Sequence, residues 1–232
     1  MKRPSRPIQR YRTLSGMVWP TTPDESRLAS DWSRSATVQA LDWTWRAFDA
    51  MLDSILKEVN LENPLEQLER DLTQSHFSEI QTIWAKETGG FSSVRPHHEW
   101  PEMESRITAN AKPPAYDLAF VCDENRRWAW PIEAKVVKSP GRISEYLGDV
   151  RNKFLTGIAA PLSGDGAMIA YLLAGEAVTL FENVSRELSC LLQTADGFAQ
   201  RAHRTSDHDR TPAPRLRLHH LAMECSRRSE AK

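Results

Sequence analysis

The segments PPAYDLAFV, residues 113–121, and WAWPIEAKVV, residues 128–137, are two predicted strands that decide the fold. Aromatic and aliphatic residues dominate both, and the polar run at residues 123–126 separates them at a spacing typical of a hairpin. Because side chains alternate along a strand, Glu133 and Lys135 share one face while their apolar neighbours point to the other. Antiparallel pairing of the strands would bring Asp117 close to Glu133.

The flanking sequence predicts a mixed α/β order around this hairpin. Apolar residues recur at helical spacing after Asp31 and again after Pro64, and Gly89 ends the second helix. The resulting core is helix, three strands, helix, strand, with an added helix in front and a helix and a strand behind. The helix after Asp31 spans residues 31–60, and two later helices span residues 143–154 and 177–192. The strands outside the hairpin span residues 92–98, 167–173 and 216–223.

Length and composition favour a single folded domain. A chain of 232 residues with 40% hydrophobic content can bury a core. Residues 1–30 are rich in Pro, Ser, Thr and Arg, which predicts a flexible basic arm. The domain is expected to span residues 31–200, and residues 201–232 are expected to form a basic C-terminal extension with a last strand.

Charge and cysteine content limit the function classes. A formal net charge of -1 excludes binding of nucleic acid by bulk positive charge. The two basic ends could grip a phosphate backbone or be merely solvated, and the sequence favours neither. The three cysteines show no CxxC spacing, which predicts a reduced, cytoplasmic setting. The longest apolar run, residues 167–174, is too short to cross a bilayer, so we expect a soluble protein.

Two carboxylates and an ammonium group at one place on a sheet suit phosphodiester hydrolysis. Mg²⁺ binds through one or two carboxylates together with waters and phosphate oxygens, and Mn²⁺ accepts similar ligands. Asp117, Glu133 and the carbonyl of Ala134 are the expected metal ligands. Lys135 would orient the attacking water and stabilise charge on the phosphate. The alternative is a structural Glu–Lys pair with an unrelated surface aspartate.

These residues resemble the PD-(D/E)xK, restriction-endonuclease-like nuclease superfamily. Asp117, Glu133 and Lys135 match its motif, with Tyr116 in place of the motif's proline. The resemblance covers roughly residues 64–192 and extends to small bacterial proteins found in defence settings. It implies an αβββαβ core, dependence on Mg²⁺ or Mn²⁺ and endonuclease activity, with DNA as the expected substrate and anti-phage defence or restriction as the expected role.

The resemblance also implies a third carboxylate from the helix before the first strand. At about 100° per residue, Glu69 and Glu79 both fall within or beside the apolar stripe of the second helix. Glu69 is favoured over Glu79, and the two are too far apart along the helix to bind one ion. The alternative is that either glutamate pairs with an arginine at the margin of the core.

The sequence leaves several interpretations of substrate, activity and assembly open. An RNA substrate is one, a catalytically silent nucleic-acid-binding or protein-interaction module is another, and the assembly is open between a homodimer and a larger defence complex. Cationic residues after the third strand could meet phosphates or form a solvated helix face. They are Lys138, Arg142, Arg151 and Lys153. Neither His97-His98 nor His219-His220 is expected to bind zinc, because adjacent strand side chains face opposite ways.

Overall fold

The computed structural model describes residues 23–54, 56, 59–60, 62–105, 112–211 and 213–225. Residues 1–22 of the expected arm and the C-terminal basic pair Arg227 and Arg228 lie outside the described residues. The helices are α1 (Pro23–Asp53), α2 (Leu65–Thr88), α3 (Ser144–Asp149) and α4 (Ala177–Leu188), and a π-helical turn (Val150–Phe154) continues α3. The strands are β1 (Val94–Pro101), β2 (Ala115–Cys122), β3 (Ala129–Val137), β4 (Asp165–Leu172), β5 (Gln193–Thr194), β6 (His203–His208) and β7 (Leu216–Glu224).

The strands form one mixed seven-stranded sheet in the order β1-β2-β3-β4-β7-β6-β5. β1, β2 and β3 pair antiparallel, β4 pairs parallel to β3 and to β7, and β6 and β5 close the other edge in antiparallel pairing. The helix between β3 and β4 provides the crossover that a parallel pair requires. The expected α/β class is therefore confirmed at this level.

Helices cover both faces of the sheet. On one face, α1 and α2 pack on side chains such as Trp130, Ile132 and Ala134 of β3. On the other face, α3, the π-helical turn and α4 pack on residues that include Ala119 and Val137. The predicted alternation along β3 is confirmed, since Trp130 and Val137 belong to different apolar clusters.

The first helix begins earlier than the sequence pattern indicated. It starts at Pro23, so residues 23–30 are helical and do not belong to a flexible arm. Asp24 and Glu25 lie in its first turn, where negative side chains stabilise the exposed N–H groups. Ala29 and Ser30 are buried against the fold. The polar composition of this segment concealed a helix that uses only a narrow apolar face.

The last described strand of the chain, β7, is an internal strand of the sheet. β7 lies between β4 and β6, and its register with β4 runs from Asp165↔Arg217 to Leu172↔Glu224. The expected boundary at residue 200 therefore does not separate two structural units, because β5, β6 and β7 complete one sheet. The short strands β5 and β6 were not predicted, since the polar β6 sequence HRTSDH lacks strand-like alternation.

The helix after β3 departs from regular α-helical geometry at Val150. The expected helix over residues 143–154 consists of α3 and then the π-helical turn, which ends with Leu155 N donating to Val150 O over 2.9 Å. Such wide turns are often found at functional sites. None of the helices in the described part of the chain is both long and apolar enough to span a bilayer.

Candidate functional site

Strands β2 and β3 separate at Asp117, and this separation opens the candidate site. Their pairing runs from Val121↔Ala129 to Leu118↔Ile132, so Asp117 and Glu133 occupy the next positions along the two strands. Beyond the pairing, Asp117 Oδ2 accepts a hydrogen bond of 2.7 Å from Ala134 N. The Asp117 carboxylate thus accepts the hydrogen bond of a β3 backbone N–H beyond the paired residues. Other side chains can approach the two strands where their pairing has ended.

Glu133 is the most deeply buried carboxylate at this opening. The residue is 1% exposed, and its Oε2 accepts a hydrogen bond of 2.7 Å from Lys153 Nζ. Burial, together with the nearby Asp117 carboxylate, raises the pKa of Glu133 to about 8. The ammonium of Lys153 opposes that shift by favouring the charged carboxylate. Glu133 is therefore poised to gain or lose a proton near neutral pH.

Lys135 connects the strand to the helices on either side. Its Nζ lies 2.7 Å from Glu69 Oε1, 3.3 Å from Asp149 Oδ2 and 3.0 Å from the carbonyl oxygen of Ala134. Although burial alone would lower it, the surrounding carboxylates raise the pKa of Lys135 above its usual value. Lys135 is thus a fixed positive charge, as its proposed electrostatic role requires.

Helix α2 places Glu69, and not Glu79, at the opening. Glu69 follows the buried Leu68, and its second oxygen accepts a hydrogen bond of 3.3 Å from Val136 N. Burial raises the pKa of Glu69, although the hydrogen bond from Lys135 lowers it. The ammonium partner of Glu69 is Lys135, so the alternative of an arginine pair at the core margin does not describe this residue.

The sequence did not predict Asp149 as a site residue. It predicted that Lys153 contacts phosphate or lies on a solvated helix face, and not that it pairs with Glu133. Lys153 Nζ contacts Asp149 Oδ2 at 3.1 Å, and Asp149 also contacts Lys135, so one carboxylate bridges both ammonium groups. The helical spacing of Asp149 and Lys153, one turn apart, was the available signal. We call Glu69, Asp117, Glu133, Lys135, Asp149 and Lys153 the carboxylate–lysine cluster.

The cluster combines four carboxylates with two ammonium groups at the margin of the core. Solvent reaches it in part, since the side chains of Glu69 and Lys153 are 24% and 33% exposed. More acids than bases in a partly desolvated place favour binding of a cation. Perturbed carboxylates of this kind are a recognised mark of functional sites.

The fit to a divalent metal follows from the donor atoms. Asp117, Glu133 and the carbonyl of Ala134 are hard oxygen donors, which suit Mg²⁺ and Mn²⁺. Asp117 uses Oδ2 to accept from Ala134 N, which leaves its other oxygen for a ligand. No group of three or more His, Cys, Asp or Glu side chains suited to a metal ion occurs among the residues that the structure describes. Mg²⁺ needs only one or two carboxylates, because waters and phosphate oxygens complete its coordination.

The paired histidines were expected to face opposite ways, and they do. His97 packs against Trp100 and His98 against Phe77. On β7, His219 lies beside Trp130, whereas His220 accepts or donates a hydrogen bond of 2.7 Å with Tyr146 on the other face. Neither pair converges on a single point.

Comparisons with known proteins provide no assignment of function for this chain. No protein-family model matches the chain, and no match to a curated protein or to a solved structure was found.

Proposed function

We propose that the chain is a divalent-metal-dependent nuclease of the restriction-endonuclease-like type. One observation carries the proposal: Asp117, Glu133 and Lys135 meet where β2 and β3 separate, and α2 adds Glu69. The order α2, β1, β2, β3, α3, β4 supports the same assignment, because it repeats the αβββαβ core that the resemblance implies. A Glu–Lys pair serving packing alone would not need the additional carboxylates.

Each residue has a role that follows from its position. Asp117, Glu133 and the carbonyl of Ala134 would hold the metal, and Glu69, whose carboxyl oxygens bond to Lys135 and Val136 N, would add negative charge beside them. When bound, the metal polarises the phosphate and lowers the pKa of a coordinated water. Lys135 orients the attacking water and stabilises negative charge on the phosphate as the transition state forms.

Lys153 and Asp149 are positioning residues in this mechanism. Lys153 holds the carboxylate of Glu133 through a hydrogen bond of 2.7 Å, which restricts its rotation. Asp149 contacts both lysines, at 3.1 Å and 3.3 Å, and so fixes the distance between the two positive charges. A charge arrangement that is already in place before reaction lowers the cost of reorganisation.

DNA is the proposed substrate, and anti-phage defence or restriction in the cytoplasm is the proposed role. Both rest on the resemblance, whereas the chemistry rests on the cluster. The same cluster would also serve cleavage of RNA, because the phosphodiester bond is common to both polymers. A catalytically silent binding module is disfavoured, since binding alone gives no physical reason to assemble Asp117, Glu133 and Lys135 at one point.

The decisive experiment incubates the purified full-length chain with supercoiled plasmid, linear single-stranded DNA and RNA, each in Mg²⁺, Mn²⁺ or EDTA. Lys135→Ala protein, prepared in parallel, controls for contaminating nucleases, and Lys86→Ala is the matched surface control on α2. We expect metal-dependent cutting by the wild type and the control, and none by Lys135→Ala. Equal cutting by all three proteins would remove the proposed mechanism.

A further inference from the structure

A groove of about 500 Å³ lies at the end of β3, next to residues that adjoin the carboxylate–lysine cluster. Leu65 of α2 and Val136 of β3 lie in its wall. Leu65 is one helical turn before Glu69, and Val136 follows Lys135 and donates its N–H to Glu69. One end of the groove therefore lies beside Glu69 and Lys135 of the cluster.

The groove is lined by more basic than acidic side chains. Lys138, Arg142 and Arg186 line it, together with Glu145 and Glu187. Glu187 already lies 3.7 Å from Arg151 and 4.0 Å from Arg186. Among the described residues, Lys138 and Arg142 have no ion-pair partner, and both are exposed. The two cations thus point to an anionic partner outside the chain.

The loop that carries these cations is held in a fixed conformation. Asn183 of α4 donates a hydrogen bond of 2.8 Å to the carbonyl of Pro140, and Arg142 N donates to Ser139 O over 2.9 Å. Gly175 has a φ of +87°, and a Cβ there would lie 2.5 Å from Pro140 Cδ. The close packing of Pro140 on Gly175 therefore needs glycine, and it orders the loop before any ligand arrives.

We propose that this groove binds the sugar–phosphate backbone of a nucleic-acid strand on one side of the scissile bond, with Lys138 and Arg142 contacting successive phosphates. The inference rests on the proposed function and adds the path of the substrate to it. Recognition through phosphates positions a strand without reading its sequence. DNA and RNA share this chemistry, and the experiment distinguishes them.

Fluorescence anisotropy with labelled single-stranded DNA and RNA of the same sequence tests the groove. Measurements in EDTA and in Ca²⁺ separate binding from turnover. The variants are Lys138→Met and Arg142→Met, and Arg126→Met is the matched control. Arg126 is an exposed arginine in the β2–β3 turn, at the opposite end of these strands from the cluster. These changes lie on the surface and should leave the melting temperature unchanged.

We expect each groove variant to raise the Kd by about threefold to tenfold and to reduce the slope of log Kd against log salt by about 1. The Arg126→Met protein should bind as the wild type does. Weaker binding to either polymer, or to both, supports the groove and identifies the strand that it takes. A wild type that binds neither polymer, or groove variants that bind normally, overturn the inference.

The two proposals fail in different ways. Metal-dependent cleavage with normal binding by the groove variants would support the proposed nuclease activity and contradict the proposed binding groove. Weakened binding by those variants, with no cleavage by the wild type in either metal, would support the proposed binding groove and contradict the proposed nuclease activity.

Discussion

Two polar clusters within one sheet differ in charge and in access to solvent. The carboxylate–lysine cluster holds acidic and basic side chains at a partly open place, with the side chain of Lys153 33% exposed. The second cluster consists of two pairs on opposite faces of β6 and β7, His203 with His219 and Ser206 with His220, and it is closed to solvent. We call it the histidine cluster.

The histidine cluster forms its hydrogen bonds in pairs, although His203 Nδ1 and His219 Nε2 have no hydrogen-bond partner among the described residues. His203 lies 2.9 Å from His219 between ring nitrogens, and Ser206 Oγ lies 2.8 Å from His220 Nε2. Burial lowers the pKa of His203 to about 2 and that of His220 to about 3, so both rings are neutral. Neutral groups bonded to one another stabilise a core. Carboxyl groups that keep an unused oxygen, as Asp117 does in the carboxylate–lysine cluster, can bind a ligand.

The contrast predicts opposite effects of substitution, and the largest concerns Glu133. Glu133→Gln should lower turnover by about 10²–10³-fold, since the amide is a poor metal ligand. The melting temperature at pH 7 should not fall, because the buried carboxyl, with its pKa raised to about 8, already favours the protonated form that the amide resembles. Nuclease assays and thermal unfolding of the same preparations check both parts, with Glu79→Gln as the control. A large loss of stability with retained activity would assign Glu133 to structure.

The histidine cluster should respond in the reverse sense. His220→Leu removes partners from Tyr146 and Ser206, so we expect a loss of about 1–3 kcal/mol in the free energy of unfolding. Turnover per folded molecule should stay the same. Urea unfolding measures the loss, and His98→Leu, which changes a ring that contacts Phe77, is the control. Loss of activity at unchanged stability would show that the two clusters do not divide their roles in this way.

Lowering the pH should change the free energy of unfolding in opposite directions through the two clusters. Folded His220 has a pKa of about 3, against about 6.5 in the unfolded chain, so below pH 6.5 only the unfolded chain takes up the proton. Each such histidine lowers the free energy of unfolding by about 1.4 kcal/mol per pH unit between pH 6.5 and its folded pKa. Glu133 of the carboxylate–lysine cluster and Glu102, with pKa values raised by burial to about 8 and about 7, act in the opposite direction over part of this window.

The difference between wild type and His220→Leu isolates the histidine contribution from those of Glu133 and Glu102. We expect this difference to shrink as the pH falls from 6.5 to 5, since the variant lacks one destabilising proton uptake. Urea unfolding at several pH values measures it, and a constant difference would contradict the assigned cause.

The smallest expected effect concerns Glu69. Glu69→Gln should lower turnover by about tenfold, or about 1.4 kcal/mol, because Lys135 loses a charged partner and the site loses a carboxylate. Glu79→Gln should change neither turnover nor stability. Steady-state kinetics of the two proteins provide the comparison. Full activity of Glu69→Gln would restrict the site to Asp117 and Glu133, whereas a loss only in Glu79→Gln would transfer the role to that residue.

Sequence periodicity was sufficient for the residues that lie on regular elements. The alternation in β3 placed Glu133 and Lys135 on one face, and the hairpin brought Asp117 level with Glu133. Helical geometry also favoured Glu69 over Glu79. These predictions depend on local repeats of the backbone, which the sequence encodes directly.

Features that depend on distant contacts were not accessible in this way. Asp149 became visible as a bridge only once α3 lay beside β3, and the polar strand β6 forms because β7 offers it an edge. The central position of β7 likewise depends on parallel pairing with β4, which no local pattern specifies. The early start of α1 has a different cause, since Asp24 and Glu25 of its first turn lie in a segment whose composition is typical of a polar arm.

Calorimetric titration of the full-length protein with Mn²⁺ tests most directly whether the carboxylate–lysine cluster is a metal centre. Wild type should bind the ion, and Asp117→Asn should weaken binding at least tenfold because it removes a charged ligand. Lys135→Met should bind at least as tightly as wild type, since a protonated lysine offers no lone pair and its removal frees Glu69 and the carbonyl of Ala134. Absence of binding by wild type, or equal affinity of wild type and Asp117→Asn, would contradict the assignment.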